Sequence, residues 1–579
     1  MAVLSYALLL LSVLRFVIGR AVLDTGPKLV ARKDWESPAY TWLYQFPLPI
    51  PPVKTPAMTI TNPVTGNPID YYQIYINRFT QNVYPNKGNA VLVGYDGISP
   101  GPTFIIERGR ETVVRFINNA TMASSIHLHG SYSRAPWDGW AEDVIAPGEF
   151  KDYYYPNSQS ARFMWYHDHA IEHTAENAYF GQAGGYIIHD PAEDALNLPS
   201  GYGQFDIPLI LTSKQYKNDG TLFSPASEDD SLFGDVIHVN GQPWPYFNVQ
   251  PRKYRLRFLD ASVSRTFLLY FQRQSGSSAP IPFQVIASDS GLLASPATAS
   301  KLYISMAERY EVVFDFAPFA GQNITLRNTE DVGEDDDYLH TDKIMRFVVS
   351  NTPVTDPSTV PSVLATIDWP TPAGSAVDHH FLFHRSNSQW QINGVVFADV
   401  DNRVLANVPR GTVQVWELEN SSGGWTHPIH IHLVDFKVLS RTGDRPLYNY
   451  ETQGLKDVVW LGPGETVKVE AHYAPWDGVY MFHCHNLIHE DHEMMAAFNV
   501  TALVDLGYSE TAFRDPMEAR WRAEAVTAAK FIPTAITEKV QFMASLEPYS
   551  NVDEVFDALE DYWSTSKKRD GDAVARKDH

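Results

Sequence analysis

Four pairs of histidines, each separated by one residue, are the most informative part of this 579-residue sequence. Residues i and i+2 of a strand point to the same face, so each pair would present its two imidazoles side by side. A single pair would favour solvent-facing or hydrogen-bonded histidines, but four pairs at matching positions of an internal repeat indicate a metal cluster. The pairs are His127-Leu-His129, His167-Asp-His169, His430-Ile-His432 and His483-Cys-His485.

The single cysteine of the chain lies inside the last pair. A lone cysteine is most often a buried, inert thiol, yet Cys484 is followed by His489 five residues on and Met494 ten residues on. With His427 these residues form a set of two histidines, one cysteine and a weakly bound methionine, which is the ligand set of a blue-copper electron-transfer site. The soft thiolate selects copper, so the sequence predicts a second, mononuclear copper site.

Strand alternation predicts how the two sites are connected. His483 and His485 would face one way and Cys484 the other, so one strand would tie the mononuclear copper to the histidine cluster through a few covalent bonds. Eight histidines suit three coppers, with two ligands for one copper and three for each of the others. Such a cluster, supplied with electrons by a separate site, is suited to dioxygen, because several coppers can deliver four electrons without releasing partly reduced oxygen.

The elements that carry these residues belong to an internal repeat of short strands. Each copy begins with a β-branched or aromatic run, at 112–117, 254–259 and 412–418. Each copy then has a turn ahead of a further strand, at 146–149, 306–309 and 462–465. The spacing agrees between copies, because Pro147 to His167 and Pro463 to His483 are both 20 residues.

These repeats predict an all-β fold of three related units, at 34–190, 200–355 and 375–505. The linkers at 191–205 and 353–376 are rich in Pro, Gly, Ser and Asp. Many short strands with frequent turns imply sandwiches or barrels. Helix formers at 518–531 and 552–563 predict a helical extension within 506–579, which ends in a disordered, polar tail from Ser564 onward.

The composition excludes several classes of protein. With 44% hydrophobic, 20% charged and 13% aromatic residues, the chain is neither disordered nor collagen-like. Acidic residues outnumber basic ones, 68 to 45, and the net charge of −23 argues against a general nucleic-acid binder. One cysteine excludes an intramolecular disulfide.

The N-terminus predicts a secreted protein. An apolar run over 2–18, broken by Arg15, fits a cleaved signal peptide at 1–19, and a signal anchor is the alternative. Arg32-Lys33 predicts a processing site that would remove 20–33 as a propeptide. No later stretch approaches a membrane span, so we expect no membrane partner after signal removal. Four sequons would accept glycans in a secreted chain: Asn119, Asn323, Asn420 and Asn499.

At these residues the sequence resembles the multicopper oxidases, over nearly the whole mature chain. The resemblance implies three cupredoxin-like Greek-key β-barrel domains and four copper ions, with no copper in the second domain, which lacks histidine pairs. It implies these ligands: for the type 1 copper His427, Cys484, His489 and Met494; for the type 2 copper His127 and His430; for the two type 3 coppers His129, His167, His169, His432, His483 and His485.

Within the family, the chain is most similar to the fungal bilirubin oxidases, which are laccase-like. The supporting stretches are PLPIPPVK at 47–54, GYDGISPGPTF at 94–104, HLHGSYSRAPWDGWAED at 127–143, WTHPIHIHLVDFKV at 425–438 and HCHNLIHEDHEMMAAFNV at 483–500. Many fungal laccases lack the axial methionine. Met494 therefore favours the bilirubin-oxidase or bacterial-laccase-like side of the family, and it implies a lower type 1 potential than an apolar axial residue would give.

Three further residues are predicted to take part in the chemistry. Reduction of dioxygen to water needs four protons, and Asp138 and Glu490 match acids that resemble proton donors in the family. The alternatives are a turn-stabilising Asp and a solvated Glu. Trp425, two residues before His427, would either form part of the substrate rim or pack in the core.

The other histidines lack the pairing or the repeat position, and we predict that they are not ligands. Of these, His472 and His492 are expected beside the ligands or at the surface. The full set is His173, His189, His238, His340, His379, His380, His384, His472, His492 and His579.

The resemblance implies a secreted, monomeric copper oxidoreductase that oxidises a small-molecule donor and reduces dioxygen to water. Bilirubin, a tetrapyrrole, is the favoured donor. A laccase-type phenol oxidase and a metallo-oxidase for Fe(II) or Cu(I) are the alternatives within the family, and the latter would need acidic residues or a Met-rich loop beside the type 1 site. A copper-binding or storage protein is the alternative outside enzymes, but storage does not need an electron path.

Overall fold

The computed structural model describes residues 34–329, 332, 335–370, 376–507, 512–549 and 552–569. Within these residues the chain is mostly β, with six sheets arranged as three successive pairs and with helices concentrated near the C-terminus. The prediction of an all-β fold with a helical C-terminal extension is confirmed. The predicted signal peptide, the propeptide at 20–33 and the last ten residues of the tail lie outside the described residues.

The first pair of sheets lies within 58–189, apart from one late strand. Sheet 1 has the order β1-β2-β5-β7-β32, and β3 pairs with β2. Its strands are β1 (Met58–Thr61), β2 (Pro68–Gln81), β3 (Ala90–Tyr95), β5 (Thr112–Asn118), β7 (Glu149–Tyr155) and β32 (Glu524–Ala525). Sheet 2 has the order β4-β9-β8-β6. Its strands are β4 (Gly101–Glu107), β6 (Ile126–His129), β8 (Arg162–Asp168) and β9 (Ala183–His189).

The second pair of sheets lies within 206–349. Sheet 3 has the order β12-β11-β10-β14-β19-β16-β17. Its strands are β10 (Asp206–Lys214), β11 (Val236–Val239), β12 (Gln242–Pro243), β14 (Lys253–Asp260), β16 (Phe283–Ser288), β17 (Gly291–Ala299) and β19 (Arg309–Asp315). Sheet 4 has the order β13-β21-β20-β15-β18. Its strands are β13 (Tyr246–Val249), β15 (Phe267–Arg273), β18 (Leu302–Ile304), β20 (Asn323–Asn328) and β21 (Lys343–Val349).

The third pair of sheets lies within 379–501. Sheet 5 has the order β23-β22-β25-β29-β27. Its strands are β22 (His379–Ser386), β23 (Gln389–Ile392), β25 (Val413–Asn420), β27 (Phe436–Thr442) and β29 (Thr466–His472). Sheet 6 has the order β24-β31-β30-β26-β28. Its strands are β24 (Val404–Pro409), β26 (His427–Ile431), β28 (Val458–Leu461), β30 (Gly478–Cys484) and β31 (Met495–Thr501).

The helices among the described residues are short until the C-terminus. They are α1 (Thr174–Phe180), α2 (Asn449–Thr452), α3 (Leu487–Asp491), α4 (Pro533–Ser545) and α5 (Val552–Arg569). Because α5 continues to Arg569, the prediction of a disordered tail from Ser564 is wrong over 564–569. The prediction of a helix from the helix formers of 518–531 is wrong. This stretch contains one short 3₁₀ turn before strand β32 and another after it. Backbone pairing of β32 with the edge of β7, with Glu524 opposite Phe150, overrides the local helix propensity.

One buried hydrophobic cluster is shared by the first and third pairs of sheets and by the C-terminal extension. It runs from Ile69 and Phe116 through Phe482 and Phe498 to Trp521. A second cluster fills the pair within 206–349. The first and third pairs are therefore packed as one body, and this packing brings sheet 2 and sheet 6 together.

Candidate metal centre

Sheets 2 and 6 present their histidine pairs in the same way. In sheet 2, β6 and β8 pair antiparallel with His127 directly opposite His167. In sheet 6, β26 and β30 pair antiparallel with His430 directly opposite His483. The repeat predicted from the sequence thus places two histidine-bearing strand pairs in matching register. Each pair's second histidine lies at or just beyond the end of its strand.

The structure brings the histidines of both sheets into one buried cluster. Its ligand nitrogens form three groups within 4.8 Å: His127 with His430 and His432; His129 with His167 and His485; and His169 with His432 and His483. The Nε2 atoms of His127 and His430 are 3.3 Å apart. His483 Nε2 lies 3.1 Å from His169 Nε2 and 3.1 Å from His432 Nε2. Every group therefore combines residues of sheet 2 with residues of sheet 6.

A separate group contains the buried cysteine. His427 Nδ1 lies 3.3 Å from Cys484 Sγ, and His489 Nδ1 lies 3.6 Å from it. The two Nδ1 atoms are 3.1 Å apart. Met494 is fully buried, and its backbone carbonyl accepts a hydrogen bond from the Cys484 amide at 3.2 Å. The two imidazoles and the thiol therefore lie close together. Met494 lies next to them, on the segment whose backbone is hydrogen-bonded to Cys484.

The electrostatic environment suits neutral imidazole ligands. Burial lowers the pKa of His427 and of His167 to about 3, and that of His169 to about 4. Burial, together with the neighbouring histidines, lowers the pKa of His127 and His430 well below the usual range. Neutral imidazole is the form that binds metal ions. A buried cluster of neutral imidazoles is therefore in the protonation state that binds metal cations.

Unpaired nitrogens give a direct test of whether metals fit. His129 Nδ1, His167 Nε2 and both ring nitrogens of His485 are buried and have no hydrogen-bond partner among the described residues. Buried polar atoms without partners are rare in native proteins, and these nitrogens are positioned to bind a metal ion. Imidazole with thiolate suits copper, and the residues present therefore fit metal ions of this type.

Asp138 links the two histidine sets on one side of the cluster. Its Oδ2 accepts a hydrogen bond from His432 Nδ1 at 2.7 Å, and its backbone carbonyl accepts one from His127 Nδ1 at 2.5 Å. Burial raises the pKa of Asp138 well above its usual range. The carboxyl can therefore hold a proton close to the cluster, as a proton donor requires.

Glu490 links the two sets on another side. Its Oε2 lies 2.9 Å from His483 Nδ1 and its Oε1 lies 3.6 Å from His169 Nδ1. Burial raises the pKa of Glu490, but the adjacent histidines outweigh it and lower the pKa to about 2. Helix α3, which Asn486 caps through a hydrogen bond from the Ile488 amide, holds this carboxylate in place.

A third carboxylate, which the sequence did not indicate, occupies the remaining side. Asp457 Oδ1 accepts a hydrogen bond from His129 Nε2 at 3.1 Å, and the Asp457 carbonyl accepts one from His430 Nδ1 at 2.7 Å. Asp457 precedes strand β28 and belongs to no motif. Its role depends on how sheet 6 meets sheet 2, which no local pattern reveals.

Two tryptophans cover the cysteine-containing group. The Trp390 ring stacks on His489 with ring centroids 3.7 Å apart, and Trp425 lies edge-on to His489 at 5.9 Å. Trp390 is buried, whereas Trp425 is partly exposed. The guanidinium of Arg385, also partly exposed, lies 4.8 Å from the Trp390 ring. Trp425 and Arg385 thus form an outer rim above His489.

The described histidines outside the four pairs, apart from His427 and His489, do not join the metal-binding groups. His492 donates a hydrogen bond to the Ile488 carbonyl at 2.8 Å. Burial lowers the pKa of His472 to about 4, and this residue lies at the end of β29. His579 lies outside the described residues.

Comparison with known sequences gives consistent relatives. Two family models, both described as multicopper oxidase, match residues 79–193 and 370–503. A bilirubin oxidase from Albifimbria verrucaria is 61% identical over 533 residues, which cover 90% of this chain and 93% of that protein. A laccase from Bacillus subtilis is 31% identical over 495 residues, which cover 74% of this chain and 94% of that protein.

Comparison with solved structures gives the same family. A variant of the McoA multicopper oxidase from Aquifex aeolicus superposes with a TM-score of 0.70 at 28% identity, covering 79% of this chain and 100% of that one. A laccase from Pediococcus acidilactici superposes with a TM-score of 0.69 at 27% identity, covering 81% of this chain and 95% of that one.

Proposed function

The chain belongs to the multicopper oxidase family, as a copper-dependent oxidoreductase that uses dioxygen, and we propose that it oxidises bilirubin to biliverdin. The proposed reaction couples one-electron oxidations of the donor to the four-electron reduction of dioxygen to water. Two bilirubin molecules would thus be oxidised for each dioxygen reduced.

The observation that supports this proposal most directly is the position of Cys484. Its thiol belongs to the group with His427 and His489, while its chain neighbours His483 and His485 belong to two different groups of the histidine cluster. The backbone of one strand therefore joins the two candidate sites. A storage protein would not require this connection.

We assign the ligands to four coppers. His427, Cys484, His489 and Met494 would hold the type 1 copper, and His127 and His430 the type 2 copper. Two of the three histidine groups would hold the type 3 coppers. One copper would bind His129, His167 and His485, and the other would bind His169, His432 and His483. When bound, these coppers would carry electrons from the donor to dioxygen.

Asp138 and Glu490 are proposed to serve the cluster in different ways. The raised pKa of Asp138 allows it to hold a proton 2.7 Å from His432. The lowered pKa of Glu490 keeps it ionised beside His483, where it accepts a hydrogen bond and orients the ring. Proton transfer by a positioned carboxyl contributes on the order of 10²–10⁴-fold to rates of this kind.

The rim above His489 bears on the choice of donor. Trp425 offers a partly exposed ring for a tetrapyrrole or a phenol. Arg385 offers a cation for the carboxylates of bilirubin, although it pairs with Asp230 and lies 3.7 Å from Asp229. The net charge of the chain does not decide this preference, because the local field at the rim does.

The acidic pair at this rim keeps a metallo-oxidase as the second candidate. Asp229 is exposed and Asp230 is partly exposed, and the Asp229 carbonyl accepts a hydrogen bond from Trp390 Nε1 at 2.9 Å. Carboxylates next to Arg385, at the rim formed with Trp425, would favour a cationic donor such as Fe(II). A laccase-type preference for simple phenols is the third outcome.

Dioxygen uptake by the copper-loaded enzyme tests the donor. Bilirubin, a simple phenol and Fe(II) would be compared at equal concentration, with Asp229→Asn and Arg385→Gln as variants. We expect the fastest uptake with bilirubin and a selective loss of that activity in Arg385→Gln. Fastest uptake with Fe(II), lost in Asp229→Asn, would instead establish the metallo-oxidase.

We also propose that the enzyme is secreted, glycosylated and monomeric, with the domain bounds predicted from the repeats. Among the described residues, no helix is both long and apolar enough to cross a membrane. Asn119 is exposed and is the best-placed glycan acceptor. Asn420 is 1% exposed and its amide nitrogen donates to the Trp425 carbonyl at 2.7 Å, so we no longer expect a glycan there.

A further inference from the structure

The pair of sheets within 206–349 reaches the histidine cluster through one arginine. Arg309 begins strand β19, in the turn at 306–309 that the internal repeat singled out. In all three copies a glutamate closes its own turn: Glu149 accepts from the Ala146 amide, Glu308 from the Ser305 amide, and Glu465 from the Gly462 amide. Arg309 directly follows Glu308, and its side chain extends out of its own sheet toward Asp457.

The contacts of Arg309 use its whole guanidinium. Nη1 donates to Asp457 Oδ1 at 2.6 Å and Nη2 to Asp457 Oδ2 at 2.5 Å, which is a bidentate pair. The remaining N–H groups donate to the carbonyls of Phe163, Ala307 and Asp289. All five guanidinium donors thus have acceptors, and the side chain is fully buried. A planar, fully hydrogen-bonded fork fixes the plane of the carboxylate that it binds.

Ionic contacts of Lys456, the residue before Asp457, hold the same part of the chain in place. Lys456 Nζ lies 2.9 Å from Asp289 Oδ2 and 3.0 Å from Glu308 Oε1. Asp289 also accepts hydrogen bonds from the backbone amides of Arg309, at 2.7 Å, and Val458, at 3.2 Å. The two segments, 307–309 and 456–458, are therefore locked together by charges that all lie in the interior.

Asp457 in turn orients two histidine rings, which belong to different proposed copper sites. Because Asp457 Oδ1 accepts from His129 Nε2, the ring presents Nδ1, which is buried and has no hydrogen-bond partner among the described residues. Because the Asp457 carbonyl accepts from His430 Nδ1, that ring presents Nε2, 3.3 Å from His127 Nε2. The hydrogen bond on one ring nitrogen decides which nitrogen faces the metal.

We propose that Arg309 is a positioning residue of the trinuclear copper centre, acting through Asp457 on His129 and His430. The inference rests on the proposed ligand assignment. It gives the copper-free middle unit a role beyond that of a spacer, because its arginine sets the orientation of one type 3 ligand and one type 2 ligand. Outer partners of metal-bound histidines typically contribute about 10–100-fold to metal affinity or activity.

The test compares Arg309→Lys with Arg257→Lys in the copper-loaded full-length enzyme. Lysine keeps the positive charge but loses the fork. Arg257 is the matched control, since it is buried in the same sheet and forms a bidentate pair with Asp206 at 2.7 and 2.8 Å, together with a bond to Glu311. The measurements are copper per chain, the blue absorbance of the type 1 site and the electron paramagnetic resonance of the type 2 copper.

For Arg309→Lys we expect a changed type 2 resonance and about 10–100-fold weaker retention of the trinuclear coppers against a chelator. The blue absorbance should stay as in the wild type, because His427, Cys484 and His489 do not contact Arg309. Arg257→Lys should retain both signals. A resonance and copper content in Arg309→Lys equal to those of Arg257→Lys would overturn the inference.

A second variant decides the matter if Arg309→Lys does not fold. Asp457→Asn removes the charge that Arg309 neutralises but keeps the shape of the side chain. The same loss of trinuclear copper with a retained blue band supports the inference, and unchanged copper and resonance contradict it. Failure of the proposed function itself is distinguishable, because the wild type would then lack the type 2 resonance or the blue band from the start.

Discussion

At the scale of single residues, the central arrangement is a cysteine between two histidines at the end of a buried strand. The alternation of side chains sends Cys484 toward His427 and His489, while His483 and His485 join the histidine cluster. No neighbouring residue can replace this function, because the thiolate is the soft ligand that selects copper and the backbone on both sides leads to the cluster.

Cys484→Ser should remove the blue absorbance and oxidase turnover while the fold is kept. A hydroxyl is a poor ligand for copper at this position, and we expect turnover to fall by more than the roughly 100-fold that marks loss of a supporting residue. Visible spectroscopy, dioxygen uptake and circular dichroism measure the three properties. Retained oxidase activity in this variant would show that the assignment of the electron-accepting site is wrong.

Asp138→Asn should lower turnover by about 10²–10⁴-fold, the usual contribution of a positioned proton donor, without affecting the blue band. The amide can still accept a hydrogen bond from His432, but it cannot supply a proton. The matched control is Glu142→Gln, an acid four residues further on that pairs with Arg403 at 2.7 Å, away from the cluster. Asp138→Glu should recover part of the activity, and wild-type turnover in Asp138→Asn would exclude the proton role.

Lys214 provides a prediction about pH and stability. The side chain is buried, its Nζ donates to the Tyr179 carbonyl, and burial lowers its pKa to about 7. Within the described residues no carboxylate forms an ion pair with it. In the unfolded chain the pKa is ~10.4. Between these values the unfolded chain binds a proton that the folded chain does not, so stability rises as pH increases from about 7 toward 10.

Lys214→Met should therefore stabilise the fold at pH 7 and flatten this dependence. The gain has an upper bound of roughly 4 kcal/mol, because one pKa unit corresponds to about 1.4 kcal/mol. Urea unfolding at pH 7 and pH 9.5 measures it, with Lys468→Met as a partly exposed control that pairs with Glu417 at 3.3 Å. A wild type whose stability does not rise over this interval would contradict the prediction.

At the scale of elements, the sequence predicted the features that depend on its internal repeat and on the alternation of side chains along a strand. Histidines two residues apart could be placed on one face of a strand, and the equal spacing from Pro147 to His167 and from Pro463 to His483 could place two strand pairs in equivalent positions. The contact between Arg309 and Asp457 could not be predicted, because it depends on how three sheets meet. The same reason explains the stretch at 518–531, where pairing with β7 outweighs helix propensity.

The C-terminal extension also supports the cluster, through the segment that carries Asp138. Trp521 is 4% exposed and packs against Trp137 with ring centroids 5.1 Å apart. Trp137 immediately precedes Asp138, and Tyr549 also packs against Trp137, with ring centroids 5.8 Å apart. The extension is thus part of the core of the first pair of sheets rather than an appendage.

Trp521→Ala should cost about 3–5 kcal/mol in unfolding free energy, the usual range for a buried tryptophan. Phe542→Ala is the matched control, since Phe542 belongs to the same aromatic contact but is 47% exposed. Its substitution should cost less than about 1 kcal/mol. Equal effects of the two substitutions, measured by urea unfolding, would mean that the extension does not support the core.

At the scale of the whole molecule, the three pairs of sheets have different tasks. The first and third pairs supply the histidines, and their shared hydrophobic cluster holds sheets 2 and 6 against each other. The pair within 206–349 supplies polar side chains at the borders of both candidate sites. Arg309 is one example, and Ser264 is another. The Ser264 hydroxyl donates to Asn486 Oδ1 at 3.0 Å, and the backbone N–H of Asn486 donates to Cys484 Sγ at 3.4 Å.

The measurement that tests the central claim most directly is the stoichiometry of the copper-loaded enzyme. Bilirubin consumed, dioxygen consumed and peroxide formed would be recorded in one sealed reaction, on protein with a known copper content. We predict four coppers per chain, two bilirubin molecules oxidised for each dioxygen, and no peroxide. One bilirubin per dioxygen with an equal amount of peroxide would contradict the account, because the histidine cluster would then not deliver four electrons.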